Sequence, residues 1–244
     1  MKKEFICKFN NQKIYGILFL PEHIDKKIPI IILSHGLSLD HSLMIPYAEK
    51  LLKHDIASYV FDFRGGGYES KSDGKISDMS IITEKDDLNC VIDNIKELDY
   101  VDSDKIYLAG HSQGGLVSSL VANDRPEDIE ALFLFAPAYI IPDDMKELDN
   151  PREKNVINIM PEYTGQIYID GANSINLYDD ILNFKKEVYI FHGKLDSRVY
   201  LKYSIEANQL YENCTLVVFE NEEHRFTDDT KNIVVEKISK ILEK

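Results

Sequence analysis

Apolar residues along the chain follow two rhythms. In "EFICKFN" and "KIYGILFLP" they alternate with polar ones, and a polar "NNQ" turn separates the two runs. Alternation puts one side of each strand on a core and the other in water, so the opening predicts a half-exposed antiparallel hairpin. "IPIIILSHG" differs, because its apolar residues are continuous and stop at His35 and Gly36. Such a run predicts a strand buried on both faces, as in a parallel sheet covered by helices. "IPYAEKLLKHD" then carries apolar residues at helical spacing, and "IASYVFDFRGGG" is a second buried strand that ends in glycines.

The same alternation runs to the end of the chain. "ITEKDDLNCVIDNIKEL" collects Ile82, Leu88, Val91, Ile92, Ile95 and Leu98 on one helical face. "KIYLAG", "SQGGLVSSLVAN" and "IEALFLFAP" read as strand, helix and strand. "EVYIFHG", "LKYSIEANQLYEN", "CTLVVFE" and "TKNIVVEKISKILE" repeat the pattern. Together they predict an α/β protein with a mostly parallel central sheet flanked by helices and right-handed crossovers. Residues 137–183 break the rhythm, collecting prolines, acids and four tyrosines. A long irregular segment inside a compact α/β domain is a functional cover or is poorly ordered, and its Ile, Met and Tyr content argues against disorder. The expected organisation is therefore a core made of 1–136 and 184–244, with 137–183 inserted as a small cap.

Composition narrows the class. A chain of 244 residues can bury roughly three quarters of its unfolded surface and needs no staples. Cys7, Cys90 and Cys214 are odd in number and have no metal-ligand spacing, so each is expected to be a small core residue. No run is long enough for a signal peptide or a membrane span, which makes cytoplasmic residence the expectation. The net charge of −14 argues against nucleic-acid and acidic-membrane partners. A small molecule is the expected partner, with a homodimer left open.

Candidate chemistry sits where strands end. "GHSQG", residues 110–114, is a G-x-S-x-G between an apolar strand and an amphipathic helix. Three fixed residues of common types recur by chance, so the surroundings decide. A serine hydroxyl near neutral pH needs a base within hydrogen-bond reach, usually a histidine oriented by a carboxylate. In doubly wound sheets, ligands lie beyond the carboxyl ends of strands. "VYIFHGKLDSRV" places Asp196 just after one strand, and "TLVVFENEEHRF" places His224 just after the next. The order Ser112, Asp196, His224 is that of α/β-hydrolases. Asp62 also follows a strand and is the rival acid. Glu222 and Glu223 stand too close to His224 on one loop to approach its ring from behind. His192 and His35 suit structural roles, and His23, His41 and His54 read as surface residues. The backbone N–H groups of Gln113, at a helix start, and Leu37, after Gly36, are the expected oxyanion donors. No histidine pair stands at metal-ligand spacing, so neither metal nor cofactor is expected.

"SHGLS", "DFRGGGYES", "LAGHSQGG", "FHGKLDSRV" and "EEHRF" resemble the landmarks of the α/β-hydrolase superfamily across nearly the whole chain. Within it, "GHSQGG" and the "APA" after the next strand are most similar to the bacterial cinnamoyl (feruloyl) esterases. That resemblance implies a serine carboxylesterase for aromatic, hydroxycinnamoyl esters, working through an acyl-enzyme on Ser112. It also implies that the cap reads the phenolic end of the substrate, and "YIDGA" nominates Tyr168 and Ala172 as substrate-binding residues. The alternatives are a short-chain acyl esterase, a monoacylglycerol lipase or a thioesterase on the same machinery, and a non-catalytic hydrolase-like binding protein.

Overall fold

The computed structural model describes residues 1–146 and 165–243. β1 (Lys2–Phe9) and β2 (Gln12–Phe19) form the expected antiparallel hairpin, with Phe9 opposite Gln12. Its two-residue turn holds Asn10 and Asn11 at φ of 49° and 63°. Asparagine tolerates this left-handed region because its short side chain can bond locally, and such turns match the twist of the paired strands.

Six further strands complete one sheet: β3 (Ile28–Ser34), β4 (Ala57–Phe61), β5 (Val101–His111), β6 (Ala131–Phe135), β7 (Glu187–Gly193) and β8 (Cys214–Phe219). Their order is β1-β2-β4-β3-β5-β6-β7-β8. β2 pairs antiparallel with β4, and every pair from β4 to β8 is parallel. The helices are α1 (Ile45–Leu52), α2 (Ile81–Lys96), α3 (Gln113–Asp124), α4 (Ile141–Lys146), α5 (Gln166–Asn173), α6 (Leu177–Asp180), α7 (Leu201–Leu210) and α8 (Asp228–Leu242). This is the α/β-hydrolase fold.

The continuous apolar runs are explained by helices on both faces. Along β3, Ile30 and Ile32 pack with Leu88, Val91 and Ile95 of α2 and with Leu116, Val117 and Leu120 of α3. Ile31 and Leu33 face the other way, towards Ala48 and Leu51 of α1 and Val234 and Ile238 of α8. Each fully buried Ile or Leu contributes ~1.5–3 kcal/mol of apolar transfer.

The phase of α2 differs from the expectation. Ser80 and Thr83 form a reciprocal capping box that starts the helix, and its buried face runs Ile81, Glu84, Leu88, Val91, Ile92, Ile95. Ile82 is 40% exposed, and Leu98 lies beyond the helix end, packed against the core. A glutamate on the inner face disguised the true stripe. The expected cap falls partly outside the described residues: 147–164 lie outside, and the remainder contributes α4, α5 and α6 between β6 and β7. Among the described residues, no helix is long and apolar enough to cross a membrane.

Candidate active site

Ser112 sits between the end of β5 and the start of α3 with φ 55° and ψ −121°. A non-glycine residue in that region is strained, and the surroundings hold it there. Its N–H donates to Phe135 O at 2.9 Å, and its carbonyl accepts from Ala138 N at 2.9 Å. The flanking glycines permit the close approach: a Cβ on Gly110 would lie 2.3 Å from Gly114 O, and one on Gly114 would lie 2.3 Å from His35 O. Strand and helix can therefore pack tightly enough to turn the serine outward.

Asp196 follows β7 and His224 follows β8, and both loops reach Ser112. The Ser112 hydroxyl donates to His224 Nε2 at 3.0 Å. His224 Nδ1–H donates to Asp196 Oδ2 at 2.7 Å. The other Asp196 oxygen accepts the backbone N–H groups of Arg198 at 2.8 Å and Val199 at 2.9 Å. Burial alone would raise the Asp196 carboxyl, but the contacts from His192 and His224 outweigh it and hold the group well below the ordinary carboxylate range. Asp196 is thus a fixed negative charge behind the imidazole, and a proton leaving Ser112 has a place to go.

Leu37 lines the same pocket as Ser112, Gln113 follows Ser112 in the chain, and their backbone N–H groups donate to no acceptor among the described residues. Gln113 N is one of the free donors of the first turn of α3. Leu37 precedes Ser38, which is held at φ 56° in the loop after β3. Leu37, Ser38, Leu39, Ala138, Ile141 and Val199 line an open pocket of about 110 Å³ around Ser112 and His224.

The other titratable candidates have different employment. Asp62 accepts from His41 Nδ1 at 2.7 Å, His41 N at 2.6 Å and Lys71 N at 2.8 Å. His41, expected at the surface, is therefore a buried partner of Asp62, while His23 and His54 are exposed. Asp40, His41 and Asp62 are the group among the described residues that could hold a metal ion. Glu222 accepts from the hydroxyls of Thr227 and Thr230, both at 2.6 Å, and caps the loop before α8. His35 accepts from Phe63 N at 3.1 Å and donates to Gly36 O at 2.8 Å, tying the loop after β3 to the loop after β4. His192 donates to Val199 O at 2.9 Å and accepts from Ser204 at 2.7 Å, beside Asp196.

Tyr168 and Ala172 require a correction. Both are 0% exposed, and neither is among the residues lining the pocket. The Tyr168 hydroxyl donates to the Gln113 side-chain oxygen at 2.6 Å, beneath the turn that carries Ser112. A hydroxyl committed to a buried partner is not free to read a substrate, so its apolar neighbours and its bond make Tyr168 a support of α3.

A family profile described as "Serine aminopeptidase, S33" matches residues 25–210. The chain belongs to that family of α/β hydrolases. The match includes Ser112 and Asp196 and ends before β8. Among solved structures, the chain is similar to Est1E from Butyrivibrio proteoclasticus with ferulic acid bound, at 27% identity and TM-score 0.87, covering 98% of this chain and 100% of that one. An esterase from Exiguobacterium antarcticum shares the fold at 17% identity and TM-score 0.74, covering 99% and 100%. A monoacylglycerol lipase from Paleococcus ferrophilus does so at 19% identity and TM-score 0.69, covering 93% and 98%. No curated protein matches the chain.

Two side chains in this hydrolase carried no sequence signal. His111, preceding Ser112, donates its Nε2–H to His224 O at 3.0 Å, and its ring lies 4.7 Å from that of His224. Burial and the neighbouring His224 lower its pKa to about 3, so it is a neutral clamp on the His224 loop. Glu84 is buried, and neither carboxyl oxygen makes a well-formed hydrogen bond. Burial pushes its carboxyl well above the ordinary range, against a smaller opposing pull from the Gln113 side chain. Knowing that α2 turns Glu84 inward would have flagged it; the spacing alone points there only once the phase of the helix is known.

Proposed function

We propose that this hydrolase is a serine carboxylesterase acting on aromatic esters, hydroxycinnamoyl esters first among them. The observation that carries the reading is the continuous chain from Ser112 Oγ to His224 to Asp196, at 3.0 Å and 2.7 Å, on a strained strand-to-helix turn. Ser112 Oγ attacks the ester carbonyl while His224 Nε2 takes its proton, and Asp196 stabilises the imidazolium that forms. The carbonyl oxygen gains charge opposite the N–H groups of Leu37 and Gln113. His224 returns the proton to the departing alcohol, leaving an acyl group on Ser112. Water, deprotonated by His224, then attacks that acyl group and releases the acid and free serine.

Support for an aromatic acyl group comes from the 27% identity to Est1E, whose solved structure holds ferulic acid. Residues 137–183 are proposed as the cap, because Ala138, Ile140 and Ile141 line the pocket wall. A second reading, an esterase for short aliphatic acyl groups, is favoured by the aliphatic character of that wall and by the commitment of the Tyr168 hydroxyl to Gln113. Labelling by a fluorophosphonate tests the machinery. The reagent is expected on Ser112 and absent from Ser112→Ala, whereas a binding protein leaves both unlabelled. The ratio of kcat/KM on methyl ferulate to that on an acetyl ester separates the two substrate readings.

A further inference from the structure

Five of the 28 basic residues are arginine. Arg64 pairs with Asp87, Arg125 pairs with Asp93 and Asp128, and Arg152 lies outside the described residues. The other two, Arg198 and Arg225, both line the pocket around Ser112. Both are exposed, and neither has a salt-bridge partner among the described residues. Their backbones are fixed by the same contacts that build the site. Arg198 N donates to Asp196 Oδ1 at 2.8 Å, and Arg225 follows His224, whose carbonyl is held by His111 at 3.0 Å.

The two buried carboxylates on the same loops are engaged elsewhere. Asp196 is engaged by His224 and two backbone N–H groups, and Glu222 by two threonine hydroxyls. A chain of net charge −14 repels anions at long range, and two guanidinium groups with no salt-bridge partner among the described residues place positive charge at this mouth. Guanidinium is also the side chain whose planar fork matches a carboxylate or phosphate. We propose that the pocket selects esters bearing an anionic group, carboxylate or phosphate, near the scissile bond, with Arg198 and Arg225 as the specificity-determining residues. This rests on the serine esterase reading and narrows its substrate class.

Two matched ester pairs test it. p-Nitrophenyl valerate against mono-p-nitrophenyl glutarate places the carboxylate on the acyl side. Methyl 4-acetoxybenzoate against 4-acetoxybenzoate places it on the leaving group. Each pair is measured with wild type, Arg198→Gln, Arg225→Gln and the double variant. In at least one pair, the double variant is expected to lower kcat/KM for the anionic ester about tenfold, with the neutral ester changed less than about twofold. The preference should also shrink as ionic strength rises, because exposed charges are screened. An anionic-to-neutral ratio unchanged by the double variant in both pairs, with the neutral esters still turned over, overturns the substrate proposal alone. No turnover of any of the four esters by wild type removes the esterase reading and this proposal with it.

Discussion

Glu84→Gln is the substitution whose effect on stability the structure dictates most narrowly. Glu84 is 1% exposed, neither carboxyl oxygen makes a well-formed hydrogen bond, and burial raises its pKa well above the ordinary range against a smaller pull from the Gln113 side chain. A raised folded-state pKa means that the folded chain holds this proton more tightly than the unfolded chain. The contribution to stability is therefore complete below the unfolded pKa of about 4.3 and is lost as pH rises towards the folded value. Over that window the loss is ~1.4 kcal/mol per pH unit, the cost of keeping one proton that the unfolded chain would release. Glutamine has nearly the same shape and no proton to lose, so it removes this slope. All other titrating groups, including Asp62 and Asp196, cancel in the difference between variant and wild type. The assay is thermal or urea unfolding of both proteins at pH 5, 6, 7 and 8. For a chain of this size 1 kcal/mol corresponds to ~2–4 °C, so the Tm advantage of Glu84→Gln should grow by about 3–6 °C per pH unit until the folded pKa is passed. A constant difference across the range would refute the reasoning, because it would mean that Glu84 titrates in the folded protein as it does in the unfolded one.

Asp196→Asn should leave the fold intact and lower kcat by roughly 10⁴, since the amide cannot hold the imidazole in the required tautomer. Asp62→Asn and Glu223→Gln should have much smaller effects on kcat in the same ester assay, and a larger loss from either would reassign the carboxylate. Tyr168→Phe leaves the buried Gln113 oxygen without its donor and should cost ~1–3 kcal/mol in urea unfolding. The same variant should keep the wild-type ratio of kcat/KM for methyl p-coumarate over methyl cinnamate; a narrowed ratio would return the Tyr168 hydroxyl to the substrate.

Much of the fold was legible because it depends on patterns that survive in one dimension. Continuous apolar runs marked β3 to β8, and alternation marked the β1–β2 hairpin. Ser112, Asp196 and His224 could be nominated together because each follows an apolar run, and parallel strands bring such positions to one edge of the sheet. What failed depends on orientation. Ile82 and Ile81 are neighbours, and only the capping box at Ser80 sets which of them faces the core. His41 resembles any loop histidine until β4 brings Asp62 to it. Tyr168 lies in a segment rich in polar residues, and nothing local tells a hydroxyl that reads substrate from one that braces Gln113. Arg198 and Arg225 are 27 residues apart, and their common pocket exists only after β7 and β8 pair.

The central claim is that Ser112 is the nucleophile, and the most direct measurement is kcat of Ser112→Ala on an ester that the wild type hydrolyses. Circular dichroism and unfolding should first show a native fold, because alanine removes one hydroxyl from a turn held by Phe135 O and Ala138 N. The account then predicts a loss of several orders of magnitude, with the remaining rate supplied by the oxyanion donors and binding alone. Retention of a tenth or more of the wild-type kcat by the folded variant would contradict it.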